Sequence, residues 1–319
     1  MNFSSQFLNF LVILKESIKL LIKNGKIMAL VTALSLFSFS VFSLLFDLPL
    51  SSLTQDMLAR ESLIPILSSN SSEFSNYLSR IKNKFPLLAP TLYIVLVVSY
   101  SLVTFLSSTA TVIVSVESHK GNVNFSAKEL CSSIMKSCIR PFVTGFYTTI
   151  LVIGYVFLVL TINAPLRMSS NMSTLGWAIL FTFFAYVFYL YLSSVWILSL
   201  VVSVVDRDCS GIMALGRSAV IIKGQELSGF LLNVVMNLAS WGVYLGSMNI
   251  RSETHWIPNE KIKGLILVGF TCLVWVLTFV VYTVMYFRGK EGIVQEIELN
   301  LSNVEYAKLG NDDPLVGVA

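Results

Sequence analysis

Residues 264–287 read GLILVGFTCLVWVLTFVVYTVMYF, a run without one charged side chain that stops at Arg288 and Lys290. A helix needs roughly 20 mainly apolar residues to cross a bilayer, and this run is long enough. It is too long for an ordinary strand, and a β-barrel would show alternating segments of about ten residues instead. A helix satisfies its own backbone groups in hydrocarbon, so a helical span is the expected solution. Five more stretches have the same character, at about 27–46, 87–116, 142–162, 175–205 and 227–250. The expected fold is therefore all-α, a polytopic transmembrane bundle of six spans over 27–287, preceded by segment 1–26 and followed by an acidic tail at 288–319.

Composition agrees with lipid as the solvent. Of 319 residues, 55% are hydrophobic and 13% charged, against about a quarter charged in soluble domains. The mean hydropathy is +0.76. With 17 Gly, 8 Pro and 4 Cys, the chain is neither collagen-like nor a disulfide-stapled scaffold. The second and fourth spans exceed a minimal crossing: 30 residues make about 45 Å of helix, against a hydrocarbon core of about 30 Å. They end in Glu117 and Asp206, expected as helix-end groups in the headgroup or water layer.

Lysine and arginine set the orientation. Segment 1–26, the second and fourth loops and the tail together hold fourteen, whereas the first, third and fifth loops hold eight. Both termini are expected in the cytosol, and the membrane is expected to be the endoplasmic reticulum or the plasma membrane. Sequons begin at Asn2, Asn70, Asn124, Asn171 and Asn300; only Asn70 and Asn171 fall on the expected outer side. The basic front continues into a full-length span without a clean cleavage pattern, so an uncleaved first span is expected rather than a signal peptide. No lipidation box is evident at either end of the sequence.

The joins between spans carry their own pattern. Phe3, Phe7, Leu11, Leu14, Ile18 and Leu21 recur at helical spacing, with Lys15, Lys19, Lys23 and Lys26 at the same period beside them. This predicts an amphipathic helix at the cytosolic interface, its four lysines contacting an anionic leaflet at roughly 1 kcal/mol each. In the second loop Ala127, Leu130, Cys131, Ile134 and Cys138 share a face opposite Lys128, Ser132, Lys136 and Arg140, before Pro141. In the fourth, Ile212, Leu215, Ala219 and Ile222 are helically spaced between Gly211 and Gly224. Interfacial helix, span, outer loop and long span then recur in order, suggesting three helical hairpins, 1–116, 117–205 and 206–287, in parallel register. Some helix is expected between Leu53 and Leu67 of the first outer loop, and disorder beyond about Asn303.

Two motifs carry a resemblance: Lys15-Glu16-Ser17, and the segment Asp206, Gly211, Ala214, Leu215, Arg217, Ser218, Lys223, Gly224. The chain resembles a family of uncharacterised plant six-span integral membrane proteins and, more distantly, the membrane domain accompanying bacterial glycerophosphodiesterases. The resemblance covers roughly residues 10–290 and implies a multi-pass bundle without transferable catalytic residues. The tail Phe287-Arg288-Gly289-Lys290 departs from the Cys-Lys ending of many members.

Chemistry-bearing constellations are sparse. There is no nucleotide-cradling glycine loop and no His-Glu-x-x-His motif. His119 and His255 are the only histidines, expected on opposite faces of the membrane. Cys131 and Cys138, seven apart, suit packing better than ligation. Asp206 and Asp208 flank Arg207, which reads as a solvated, self-neutralising loop. No catalytic, cofactor-binding or metal residue is assigned and no cofactor is implied. The candidate intramembrane polar face is Asn233, Asn237 and Ser240, an i,i+4 pair with a neighbour on the fifth span; interhelical hydrogen bonding explains it, with a translocation path as the sharper alternative. Gly242 and Gly246 give a G-x-x-x-G spacing for close helix contact. The modest net charge of +4, spread along membrane flanks, discounts nucleic acid. The functional expectation is a non-enzymatic structural or adaptor protein whose partners are membrane lipids or another membrane protein. The alternative is a transporter of a small solute or lipid.

Overall fold

A computed structural model describes residues 3–23, 25–41, 88–121, 126–168, 172–206, 208–253 and 260–311. The helix expected within 53–67, the sequons at Asn2, Asn70, Asn124 and Asn171, His255 and Arg207 lie outside the described residues. Among the described residues the fold is all-helical, with no strand. The helices are α1 (Phe3–Lys23), α2 (Gly25–Val41), α3 (Leu88–His119), α4 (Ala127–Ser137), α5 (Ile139–Met168), α6 (Met172–Val205), α7 (Ile212–Lys223), α8 (Glu226–Glu253) and α9 (Glu260–Asn311). Five of them are long and apolar enough to cross a membrane, and the bent pair α1–α2 raises the number to as many as six. The chain is an integral, multi-pass membrane protein. Among the described residues a short helix precedes two long ones twice, α4 before α5 and α6 and α7 before α8 and α9, whereas α1 has 21 residues and is longer than α2.

The last helix corrects one expectation. It runs unbroken to Asn311, where disorder was expected beyond Asn303. Between Gly292 and Gly310 the sequence has no glycine or proline and is rich in Glu, Leu and Ile, so local propensity carries the helix past the apolar run.

Two compact units are distinguished. The first comprises Met1–Met28, Thr109–Trp241 and Val274–Ala319. Its core contains α9 from Phe279 to Tyr286, eight consecutive buried residues. A helix covered on every side needs neighbours all round. Within this unit α5 packs on α6, and α6 on α7. Buried serines and threonines are common here. Ser17, Ser115, Thr144, Ser193, Ser199, Ser203, Ser218 and Thr283 donate their hydroxyls to carbonyls three or four residues back on their own helices. The hydroxyls are thereby satisfied, and their small side chains permit close helix approach.

The turn into α7 depends on a glycine. Gly211 has φ of +57°, a left-handed conformation that an L side chain adopts with strain. Its N–H donates to Thr144 Oγ1 of α5 at 2.8 Å, and a Cβ there would come within 3.1 Å of the Tyr147 ring.

The second unit comprises Ala29–Ser108 and Gly242–Leu273. The hydroxyls of Ser35 on α2 and Ser107 on α3 hydrogen-bond to each other. Phe39 and Tyr100 meet edge to face at 5.6 Å between centroids. The Cys272 thiol of α9 lies 3.8 Å from the Thr32 carbonyl of α2. Among the described residues Gly242 and Gly246 are not in close helix contact: a Cβ added at either meets nothing within 4 Å.

Candidate functional site

Successive residues on a helix point about 100° apart, so five consecutive residues can reach different neighbours. Tyr286–Lys290 on α9 do this. The Tyr286 hydroxyl donates to Asp206 Oδ1 at 2.9 Å, and Lys290 Nζ lies 3.5 Å from the same oxygen. Phe287 stacks face to face on His119 at the end of α3, with ring centroids 4.2 Å apart. Arg288 grips Glu16 of α1 with two bonds of 2.9 Å, from Nε and Nη2, and gives a third from Nη1 to Asn9 Oδ1. Gly289 abuts α7 so closely that a Cβ would run into Ile221. Four elements therefore converge on one end of the last span's apolar run.

Asp206 is the hub on one side. Its other oxygen lies 3.3 Å from Arg217 Nη1, and the same nitrogen donates to the Cys209 sulfur at 3.1 Å. That sulfur contact first, and the Asp206 charge second, hold the Arg217 guanidinium above its ordinary pKa. The expectation that Asp206 is solvated is corrected: the carboxylate is mostly covered, its side chain 14% exposed, and among the described residues Arg217 of α7 and Lys290 of α9 lie against it. Glu117, in contrast, pairs with Lys120 one turn later.

The candidate intramembrane face resolves into a clamp. Asn233 is buried on α8 and donates to the Leu190 carbonyl and the Ser193 hydroxyl of α6. Asn237 turns back to the Asn233 carbonyl and side-chain oxygen, both at 2.9 Å. Ser240 bonds the Met236 carbonyl on its own helix and is exposed. Asn233 and Asn237 are thus brought together, and Ser240 takes no part in the pair.

On α1 the buried residues are Phe10, Ile13, Ser17 and Leu20, a different line from the apolar stripe read in the sequence. Phe7, Leu11 and Ile18 of that stripe are exposed, with Leu8 and Ile22 beside them. Lys15, Lys19 and Lys23 border this outward sector and are exposed, as is Lys26 on α2. The helix docks by one face and keeps an amphipathic face outward; the Ser228 hydroxyl of α8 fastens it further through the Gln6 carbonyl at 2.9 Å.

Sequence reasoning missed the Glu16–Arg288 pair and the Tyr286–Asp206–Lys290 contacts. Arg288 and Lys290 read as ordinary positive flanks, and no local spacing connects α9 to residues 80 and 272 positions earlier. Among the described residues no three His, Cys, Asp or Glu side chains assemble to hold a metal. A family model described as Domain of unknown function (DUF8558) matches residues 2–309. No curated protein and no solved structure matches the chain.

Proposed function

We propose, for a chain that belongs to the family described as Domain of unknown function (DUF8558), a non-enzymatic role as a structural or adaptor protein working from the cytosolic side of its membrane. The observation that carries this reading is the outward face of α1: Leu8, Leu11, Ile18 and Ile22 uncovered beside Lys15, Lys19 and Lys23. A helix so built lies in a bilayer interface with its apolar sector in the acyl boundary and its lysines at anionic headgroups. Meanwhile Asn233 and Asn237 of α8 are engaged in bonds within the bundle, which favours a scaffold over the alternative, a transporter of a small solute or lipid. In this reading segment 1–26 is the interfacial helix, 27–287 the six-span domain and 288–319 the tail. Both termini face the cytosol, in the endoplasmic reticulum or plasma membrane.

The resemblance to plant six-span membrane proteins, and more distantly to the membrane domain of bacterial glycerophosphodiesterases, belongs to this proposal. Its two motifs supply the residues that α9 grips: Glu16 binds Arg288, and Asp206 takes Tyr286, Arg217 and Lys290. The motif residues thus support an architectural use.

Proximity labelling from an enzyme fused to the native N-terminus tests the role. A recurrent membrane-protein partner is expected, with labelling reduced in a Lys15→Gln, Lys19→Gln, Lys23→Gln variant. No recurrent partner, together with solute or lipid flux in vesicles that is lost in Asn233→Leu, would replace this reading with transport.

A further inference from the structure

Helices α1, α4 and α7 are anchored unequally. α1 buries Phe10, Ile13, Ser17 and Leu20, and α7 buries Ala214, Ser218, Ile221 and Ile222. α4 buries Leu130 alone. Outward, α1 shows Leu8, Leu11, Ile18 and Ile22, and α7 shows Ile212, Met213 and Val220. The corresponding side of α4 offers one large apolar side chain, Met135, before Ile139 opens α5. Its start is nonetheless well defined, because the Glu129 carboxylate accepts the Ser126 N–H at 3.1 Å. α4 is therefore a formed helix with little to hold it against bundle or bilayer.

Two thiols lie on α4 and at its C-terminal cap. Cys131 is exposed and Cys138 half-buried. Seven residues bring them back to nearly the same line of a helix, displaced by roughly 20°. Their Cα atoms are then about 10 Å apart, too far for a disulfide. Cys138 is the residue between α4 and the bilayer-crossing α5, and Ile139, Phe142 and Phe146 beyond it are exposed apolar groups. Lys128, Lys136 and Arg140 surround the pair in sequence. The other two cysteines are placed differently: Cys209 is buried and accepts a bond from Arg217, and Cys272 is buried within a span.

We infer that Cys131 and Cys138 are sites of reversible S-acylation by long-chain fatty acyl groups, which anchor α4 in the leaflet. The acyl donor is a long-chain acyl-coenzyme A. A cysteine thiolate attacks the thioester carbonyl, a new carbon–sulfur bond to cysteine forms, and the bond to coenzyme A breaks. Coenzyme A leaves as a thiolate and takes up the proton the cysteine gave up, with no change of oxidation state. The chain supplies the buried methylenes that α4 lacks, and the basic residues favour the phosphates of donor and headgroups. This inference goes beyond the adaptor reading and requires only that α4 face the compartment that holds acyl-coenzyme A.

The test uses full-length protein in membranes of eukaryotic cells. Free thiols are blocked, thioesters are cleaved with hydroxylamine, and the released thiols are tagged with a polyethylene glycol maleimide that retards migration. Two hydroxylamine-dependent steps are expected for wild type and for Cys209→Ser, one for Cys131→Ser or Cys138→Ser, and none for the double variant. Because the Cys138 thiol contacts the Met135 carbonyl at 3.6 Å, Cys138→Ala accompanies Cys138→Ser, and wild-type elution in size-exclusion chromatography certifies each fold. Absence of any hydroxylamine-dependent step in wild type, or steps that persist in the folded double variant, overturns the assignment.

Discussion

Helices α5 and α9 carry bilayer-crossing runs of nearly equal hydropathy, Ile139–Leu166 and Ile266–Val294, and they use them in opposite ways. Over an 18-residue apolar stretch of each run, 6% of the α5 stretch is buried in the protein, against 39% of the α9 stretch. Along α5 the bulky groups Phe142, Phe146, Ile150, Ile153 and Phe157 point outward. Along α9 Phe279–Tyr286 disappear completely. Lipid tails are as apolar as leucine, so apolarity alone does not choose between bilayer and neighbour. What separates the two is the company of small and polar residues, and the contacts that α9 makes at Tyr286–Lys290.

The sharpest way to break that contrast is a matched pair of truncations. Phe279→Ala removes a ring that is 3% exposed, and Phe157→Ala one that is 67% exposed. The first should cost about 3 kcal/mol through lost packing and a cavity; the second should stay within about 0.5 kcal/mol. Unfolding of the detergent-solubilised protein by titration with sodium dodecyl sulfate reads both. Equal losses would mean that the burial difference has no energetic meaning.

A glycine pair comes next. Gly289 of α9 has no room for a Cβ against Ile221, whereas Gly154 of α5 has nothing within 4 Å. Gly289→Ala should destabilise by about 1–3 kcal/mol, and Gly154→Ala should be neutral or stabilise by up to about 1 kcal/mol through helix propensity. Thermal melting in the same detergent should order them so; a stabilising Gly289→Ala would refute the close approach of α7 to α9.

Asn233→Leu is expected to lower stability by about 1 kcal/mol, the scale of an interhelical hydrogen bond in a membrane. No loss on denaturant titration would show that the clamp between α8 and α6 is dispensable. The smallest effect belongs to Glu16 and Arg288, whose side chains are 43% and 29% exposed. A double-mutant cycle with Glu16→Gln and Arg288→Gln should give a coupling of about 0.5 kcal/mol that shrinks with added salt. A coupling indifferent to salt would argue for shape rather than charge.

Much of the architecture was legible because the bilayer imposes a length rule on apolar runs. The all-helical class follows from runs such as 264–287, and the helices α1, α4 and α7 from spacing alone. The lines of contact were not legible. The sequence-read stripe Phe7, Leu11, Ile18 faces outward on α1, and the neighbouring Phe10, Ile13, Leu20 face inward, since a helix apolar over two sectors leaves its docking side undetermined. Asn233 announced itself by its spacing with Asn237, which is local. Arg288 with Glu16 could not, because that pairing depends on how the first and last helices meet.

The buried hydroxyls have a mechanical consequence. A threonine or serine that bonds back along its own helix, as Ser115, Ser199, Ser203 and Thr283 do, leaves no directional tie across the interface it lines. Two such surfaces can slide by a fraction of an ångström and break nothing, as in shear between packed helices. Resistance is then concentrated where bonds do cross, among them Asn233 with Leu190 and Ser193, Gly211 with Thr144, Ser228 with Gln6, Tyr155 with Ala185, and Tyr286–Lys290 with Asp206 and Glu16. Within that unit the bundle is riveted at such points and greased between them, so a push on α1 or α7 is borne by the rivets.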